Sequence, residues 1–194
     1  MSALPKKEYI SLENYLELER GSLEKHEYFD GEIFQMAEAS DEHNTIGGNA
    51  YASLHFQLKK RPCKAYQSDM RVQIPKTGLY TYPDIAVVCG KSEFLPDGQL
   101  DTLTNPILII EVLSVSTEGY DKGVKFDNYR SLESLREYIL ISQDTKRVIR
   151  YTKQTDGSWN LMDFISDKTE IELTSIECNL TMEDIYDKVE FEAE

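Results

Sequence analysis

The stretch PILIIEVLS, residues 106–114, decides how the rest of the chain reads. Six of its nine residues are Ile, Leu or Val, a near-continuous apolar run with Glu111 close to its centre. Such runs of strand formers mark strands covered on both faces. A carboxylate is among the side chains least often fully buried without a partner. The run therefore predicts an interior strand over 107–113 and demands a partner for Glu111.

The nearest candidate lies upstream, in YPDIAVVCG (82–90). Pro83 cannot donate to a sheet ladder, so it marks the start of a strand over 84–89. Between the two strands EFLPDGQL holds the turn signal Pro96-Asp97-Gly98. Asp84 and Glu111 are equally far from the centre of that turn. Antiparallel pairing about it would set the two carboxylates side by side on neighbouring strands. Adjacent carboxylates repel, and burial makes the repulsion worse. A shared proton, a cationic side chain or a metal ion relieves it, and hard oxygen ligands suit Mg²⁺ or Mn²⁺. The alternative is that Glu111 faces outward on an edge strand while Asp84 caps a turn.

A lysine weighs against that alternative. The segment YDKGVKFDNYRSLESL (120–135) follows the Glu111 strand and carries helical spacing over about 121–135. At about 100° per residue, Phe126, Tyr129, Leu132 and Leu135 share one arc. Lys125 falls inside it and Lys122 lies in it as well. A lysine on a helix is usually solvated, and its stem can snorkel out of an apolar face. An inward Lys125 would instead bring its ammonium to the carboxylate pair. Asp, Glu and Lys around a divalent ion suit phosphodiester hydrolysis. The ion activates water and offsets phosphate charge, while the lysine orients that water or stabilises developing negative charge.

Around this centre the chain reads as one domain over 1–194, large enough for a core of its own. ISLENYLELE (10–19) predicts a short helix capped by Ser11. EYFDGEIFQM (27–36) predicts a hairpin about Asp30-Gly31. Ser40-Asp41-Glu42 opens a second helix, with acidic residues where the helix dipole favours them. Ile46, Ala50, Leu54 and Leu58 form its buried stripe. One strand is expected at 66–74. Strands at 138–142, 147–153, 159–165 and 170–176, separated by Gln143-Asp144, Asp156-Gly157 and Ser166-Asp167, predict an antiparallel C-terminal meander. A short helix near 181–188 closes the chain. The sum is an α/β fold with helices packed on a mixed sheet.

The three cysteines, Cys63, Cys89 and Cys178, are odd in number and widely spaced, which supports neither a disulfide framework nor a zinc site. A reduced, cytoplasmic setting is the expectation. No signal-peptide pattern occurs, and no segment approaches the roughly 20 apolar residues of a membrane helix. Net charge is −14, at first sight a mark against nucleic acid. Residues 161–194 contribute 11 acidic and 2 basic side chains, so the first 160 carry only −5. Basic clusters occur at Lys59, Lys60, Arg61 and Lys64, and at Lys146, Arg147, Arg150 and Lys153; such clusters are most often solvated surface.

Pro83-Asp84, Glu111 and a following lysine resemble the PD-(D/E)XK nuclease superfamily. HEYFDGEIFQMAEASDEHN (26–44), SDMRV (68–72), YPDIAVVCG (82–90) and IIEVLSVSTEGYDKGVKFDNYRSLESLREYILI (109–141) resemble, more closely, its Uma-two family of restriction-endonuclease-like proteins. The superfamily lysine stands two positions after the second acid, where this chain has Leu113. The resemblance moves that role to the following helix, to Lys125, with Lys122 the other candidate. It implies a restriction-endonuclease-like fold, Asp84 and Glu111 as metal ligands, and Glu27 as an accessory acid. It also implies His43 as a contact to substrate phosphate, Mg²⁺ or Mn²⁺ as cofactor, DNA as substrate and a homodimer. Asp69 is a weaker match. Two rival functions stay open: a catalytically silent nucleic-acid or protein binding module, and a metal-dependent hydrolase of a small phosphorylated molecule.

Overall fold

The structure, a computed structural model, describes residues 9–166 and 169–191. The chain opens with helix α1 (Leu12–Gly21), hairpin β1 (His26–Phe29) and β2 (Glu32–Gln35), and helix α2 (Asp41–Gln57). Strands β3 (Cys63–Gln67), β4 (Arg71–Ile74), β5 (Leu79–Thr81), β6 (Ile85–Cys89), β7 (Thr102–Leu103) and β8 (Leu108–Leu113) follow. One continuous helical stretch comes next, made of α3 (Glu118–Tyr120), a π-helical turn (Asp121–Lys125) and α4 (Phe126–Tyr129). Strands β9 (Glu137–Ser142), β10 (Val148–Lys153), β11 (Trp159–Phe164), β12 (Glu170–Leu173) and β13 (Cys178–Thr181) lead to α5 (Met182–Ile185).

Six strands form the central sheet, in the order β11-β10-β9-β8-β6-β3, and a second sheet runs β2-β1-β5-β4-β7. The central sheet is mixed. Strands β8 and β9 are parallel, joined by the helical stretch as a crossover, while their neighbours run antiparallel. Every residue of β8 is buried, as its apolar run demands. Alternation sends Ile110 and Val112 to one core, under α2, α5 and the β12–β13 hairpin. Ile109 and Leu113 go to the other, under the helical stretch and the second sheet. Glu111 shares the parity of that second face.

Local chemistry explains the elements that hold the site. The Ser11 side chain accepts from the Asn14 amide and starts α1. Asp30 and Gly31 take φ of 48° and 84°, the left-handed pair that closes a tight hairpin. Ser40 caps α2 by accepting from the His43 amide, and Ile46, Ala50, Leu54 and Leu58 are its buried stripe.

Some expectations needed correction. The single strand at 66–74 is two, because a turn at 68–70 ends β3 and sends β4 into the second sheet. The helix expected to reach 135 ends near Arg130; Leu132 and Leu135 are buried from the turn beyond it. The meander covers β9, β10 and β11, whereas β12 leaves it to pair with β13. Of the expected Ser166-Asp167 turn, Asp167 lies outside the described residues. Cys63 and Cys89 form a disulfide. They are direct cross-strand partners on β3 and β6, a contact that 26 residues of separation hid from the sequence. Among the described residues no helix is long and apolar enough to cross a membrane.

Candidate active site

The pairing of β6 with β8 sets Ile85 against Ile110 and Ala86 against Ile109. Continued one step, that register puts Asp84 opposite Glu111, on the face they share. Pro83 ends the ladder there, and the Asp84 side chain takes over the work of backbone: its Oδ2 accepts from the Val112 amide at 2.7 Å. Its Oδ1 lies 2.9 Å from His43 Nε2, which the first turn of α2 delivers. The side chains of His43 and Asp84 keep 20% and 19% of their exposure, so the site meets solvent here.

Behind this mouth the cluster is dry. Glu111 is 4% exposed and Lys125 4% exposed. Interior placement between β6 and β9 excludes the edge-strand alternative for Glu111. Lys125 Nζ lies 2.8 Å from Glu111 Oε1, 3.4 Å from Asp121 Oδ1 and 3.5 Å from Glu27 Oε1. Glu111 Oε1 also accepts from the Tyr129 hydroxyl at 2.9 Å. Glu27, carried in from β1 of the second sheet, accepts from Thr81 Oγ1 and, at 2.9 Å, from the Tyr120 hydroxyl. The π-helical turn spans both Asp121 and Lys125; such single turns are rare and frequently sit at functional sites.

Electrostatics follow from this crowding. Burial pushes the Glu111 carboxyl well above the usual range, against the pull of Lys125 and helped by Asp121 and Asp84. Burial raises Asp121 in the same way, again opposed by Lys125. For Lys125 burial disfavours the ammonium, but Glu111, Glu27 and Asp121 outweigh it and hold its pKa well above the ordinary lysine value. Burial works against protonated His43 too, and the Asp84 carboxylate prevails, so its pKa is raised.

The sequence candidates thus divide. Asp84, Glu111, Lys125, Glu27 and His43 come together from five elements or their ends. Lys122 does not join them; it pairs with Glu118 on the surface of the helix. Asp69 is exposed and pairs with Lys25 at 2.7 Å. Sequence reasoning missed Asp121, which is 3% exposed. Its spacing of four from Lys125 was the available signal. The phenols of Tyr120 and Tyr129 were also missed: Tyr129, inside the helical arc, reads as apolar, and Tyr120 lies outside that arc.

A hard divalent cation fits this donor set. Mg²⁺ is commonly held through one or two carboxylates while it keeps several waters. Asp84 at the solvent-facing mouth and Glu111 buried behind it would supply two hard oxygen donors. Glu27, Asp84, Glu111 and Asp121 together outnumber the positive charges of Lys125 and a protonated His43. Among the described residues no group of three or more His, Cys, Asp or Glu side chains is arranged to hold a metal as it stands. A site built on two carboxylates and water needs no such cage.

The Uma2 family model, described as "Putative restriction endonuclease", matches residues 12–183. "Uncharacterized protein sll1609" of Synechocystis sp. (strain ATCC 27184 / PCC 6803 / Kazusa) is 38% identical over 165 residues, covering 85% of this chain and 93% of its own. "Uncharacterized protein slr1290" of the same organism is 37% identical over 180 residues, covering 91% of each chain. Among solved structures, a putative nuclease belonging to DUF820 from Anabaena variabilis ATCC 29413 superposes with a TM-score of 0.73. It covers 91% of this chain and 97% of its own at 21% identity, a likeness of fold.

Proposed function

The chain belongs to the Uma2 family, described as "Putative restriction endonuclease", and from that membership and the site's geometry we propose a metal-dependent endonuclease that hydrolyses DNA phosphodiester bonds. The observation that carries the reading is the β6–β8 register, which continued by one residue sets Asp84 opposite Glu111, with Lys125 Nζ 2.8 Å from Glu111. In this reading Asp84 and Glu111 are the metal ligands. A bound Mg²⁺ or Mn²⁺ would supply positive charge at the phosphate and make the attacking water more acidic.

The protein's own groups do the rest. The Lys125 ammonium gives a hydrogen bond to a phosphate oxygen and offsets the charge that develops as the leaving oxygen departs. Glu27, fixed by Thr81 and Tyr120, is the accessory acid that orients Lys125. His43 stands at the solvent edge on Asp84, where it meets a phosphate of the incoming strand. Lys122, paired with Glu118 on the surface of the helix, is left out of this reading. The reading includes one domain per chain and a homodimer, which sedimentation velocity checks.

The test is cleavage of DNA with Mg²⁺ or Mn²⁺ by the wild type and by Asp84→Asn, Glu111→Gln and Lys125→Ala. Cleavage by the wild type and loss in each variant is expected. No cleavage of any nucleic acid with either metal would leave a catalytically silent module on a nuclease fold. Persistent cleavage by all three variants would sink the site assignment. Raising the salt concentration separates DNA from a small phosphorylated substrate, because phosphate-tracking DNA binding weakens steeply with salt.

A further inference from the structure

An ammonium stripped of water is unfavourable unless its donors are met. Lys125 has three N–H donors, and three carboxylates stand within 3.5 Å of its Nζ. They come from three separate pieces of chain: Glu27 from β1, Glu111 from β8 and Asp121 from the π-helical turn. Three carboxylates from separate elements converge on one positive centre, and that centre is the lysine ammonium. Glu111 is the shared member, its Oε1 closest to Lys125 at 2.8 Å, while Asp84 faces it from the neighbouring strand.

We propose that the Lys125 ammonium is the resident counter-ion of this cluster, and that a divalent cation competes with it for Glu111. The inference rests on the reading of Asp84 and Glu111 as metal ligands. Without the cation, Lys125 offsets part of the negative charge of Glu111, Glu27 and Asp121 and holds the three carboxyl groups around one centre. A cation held by Asp84 and Glu111 would draw on the carboxylate that Lys125 now faces, and would so free one of the ammonium's donors for a phosphate oxygen. Loading of the metal and release of the lysine are one coupled event. Glu27 and Asp121 hold the lysine meanwhile, so the freed donor stays in place.

Coupling of this kind is reciprocal: whatever Lys125 gains from Glu111, the cation must overcome. Calorimetric titration with Mn²⁺ is therefore expected to show Lys125→Met binding about 10-fold more tightly than the wild type. In wild-type protein labelled with ¹⁵N at lysine Nζ, the Lys125 resonance is expected to shift as Mg²⁺ saturates the site. Equal or weaker Mn²⁺ binding by a folded Lys125→Met overturns the inference. Should that variant fail to fold, a Lys125 resonance unmoved at saturating Mg²⁺ overturns it alone. Asp84→Asn separates the two readings. If it abolishes Mn²⁺ binding while Lys125→Met does not tighten it, the metal site stands and the competition falls. If neither the wild type nor Lys125→Met binds Mn²⁺, the metal reading fails and the inference goes with it.

Discussion

Two buried glutamates sit on adjacent parallel strands, Glu111 on β8 and Glu137 on β9, at 4% and 0% exposure. The difference between them lies in who meets the charge. Glu137 accepts from the backbone amides of Thr174 and Ser175, at 3.3 and 2.9 Å, and from both hydroxyls. All four donors are neutral and sit in the turn between β12 and β13. They fasten that hairpin to the central sheet and leave nothing for a ligand. Glu111 is met by an ammonium and a phenol, with other carboxylates close by and solvent within reach at Asp84 and His43. Burial of a charge is thus no sign of function by itself. A set of neutral donors makes a structural clasp, whereas an ammonium among a surplus of carboxylates leaves negative charge that a further cation could meet.

The most forceful way to break this comparison is to neutralise each glutamate in turn. Glu111→Gln is expected to lower Mg²⁺-dependent DNA cleavage about 10²-fold or more, with its folded circular dichroism kept. Glu137→Gln is expected to leave cleavage near the wild-type rate. It should lower stability in urea unfolding by about 1–3 kcal/mol, because an amide cannot satisfy the same set of N–H and O–H donors. Equal loss of cleavage in the two variants would erase the distinction.

That distinction was half legible in the sequence. A lone charge in PILIIEVLS stood out because every neighbour was apolar, and the Pro96-Asp97-Gly98 turn supplied a centre for the register. The register Ile85 to Ile110 is the one that centre implies. Glu137 heads EYILIS, where a charge at a strand's end raises no question. Its partners lie 37 and 38 residues further on, in a turn that no local pattern ties to it. Distance hid the Cys63–Cys89 pair in the same way. Asp121 was missed for another reason: beside Lys122, in a polar-looking helical start, an acid reads as solvated. Lys125 was legible because period 3.6 put it in the arc of Phe126 and Tyr129. Local periodicity reports which face a residue occupies, and only tertiary contacts report what it meets there.

Titration sharpens the comparison at intermediate cost. Burial raises the pKa of Glu111 and Asp121, so the folded protein binds more protons than the unfolded chain above the ordinary carboxylate pKa of about 4. Their contribution to stability therefore falls as pH rises from about 4 through the raised folded values, with a slope of up to about 1.4 kcal/mol per pH unit for each net proton. Lys125 acts at the other end. Its folded pKa is raised, so its contribution is whole below the ordinary lysine value of about 10.4 and is lost only as pH climbs through the folded value. Urea unfolding of the metal-free protein between pH 4 and 8 is expected to show Glu111→Gln losing part of the downward slope. Glu137→Gln leaves Glu111 and Asp121 in place and keeps their part of it. A Glu111→Gln profile parallel to the wild type would mean that Glu111 does not carry the slope.

The smallest effect concerns the hydroxyls one shell out, and it isolates partner identity from burial. Tyr129 gives one hydrogen bond to Glu111, at 2.9 Å, and Ser175 gives one from its hydroxyl to Glu137. Each removal deletes one donor to a buried carboxylate and costs about 1 kcal/mol of stability. The two should nevertheless part on cleavage. Without its phenol, Glu111 is aimed only by Lys125, the partner that a cation would displace. Tyr129→Phe is expected to lower metal affinity and cleavage about 10-fold, as loss of a group that orients a ligand does. Glu137 keeps the Ser175 amide after Ser175→Ala, so its clasp holds and cleavage is unchanged. Tyr129→Phe with full metal affinity would show that the β8 strand alone fixes Glu111, as neutral backbone donors fix Glu137.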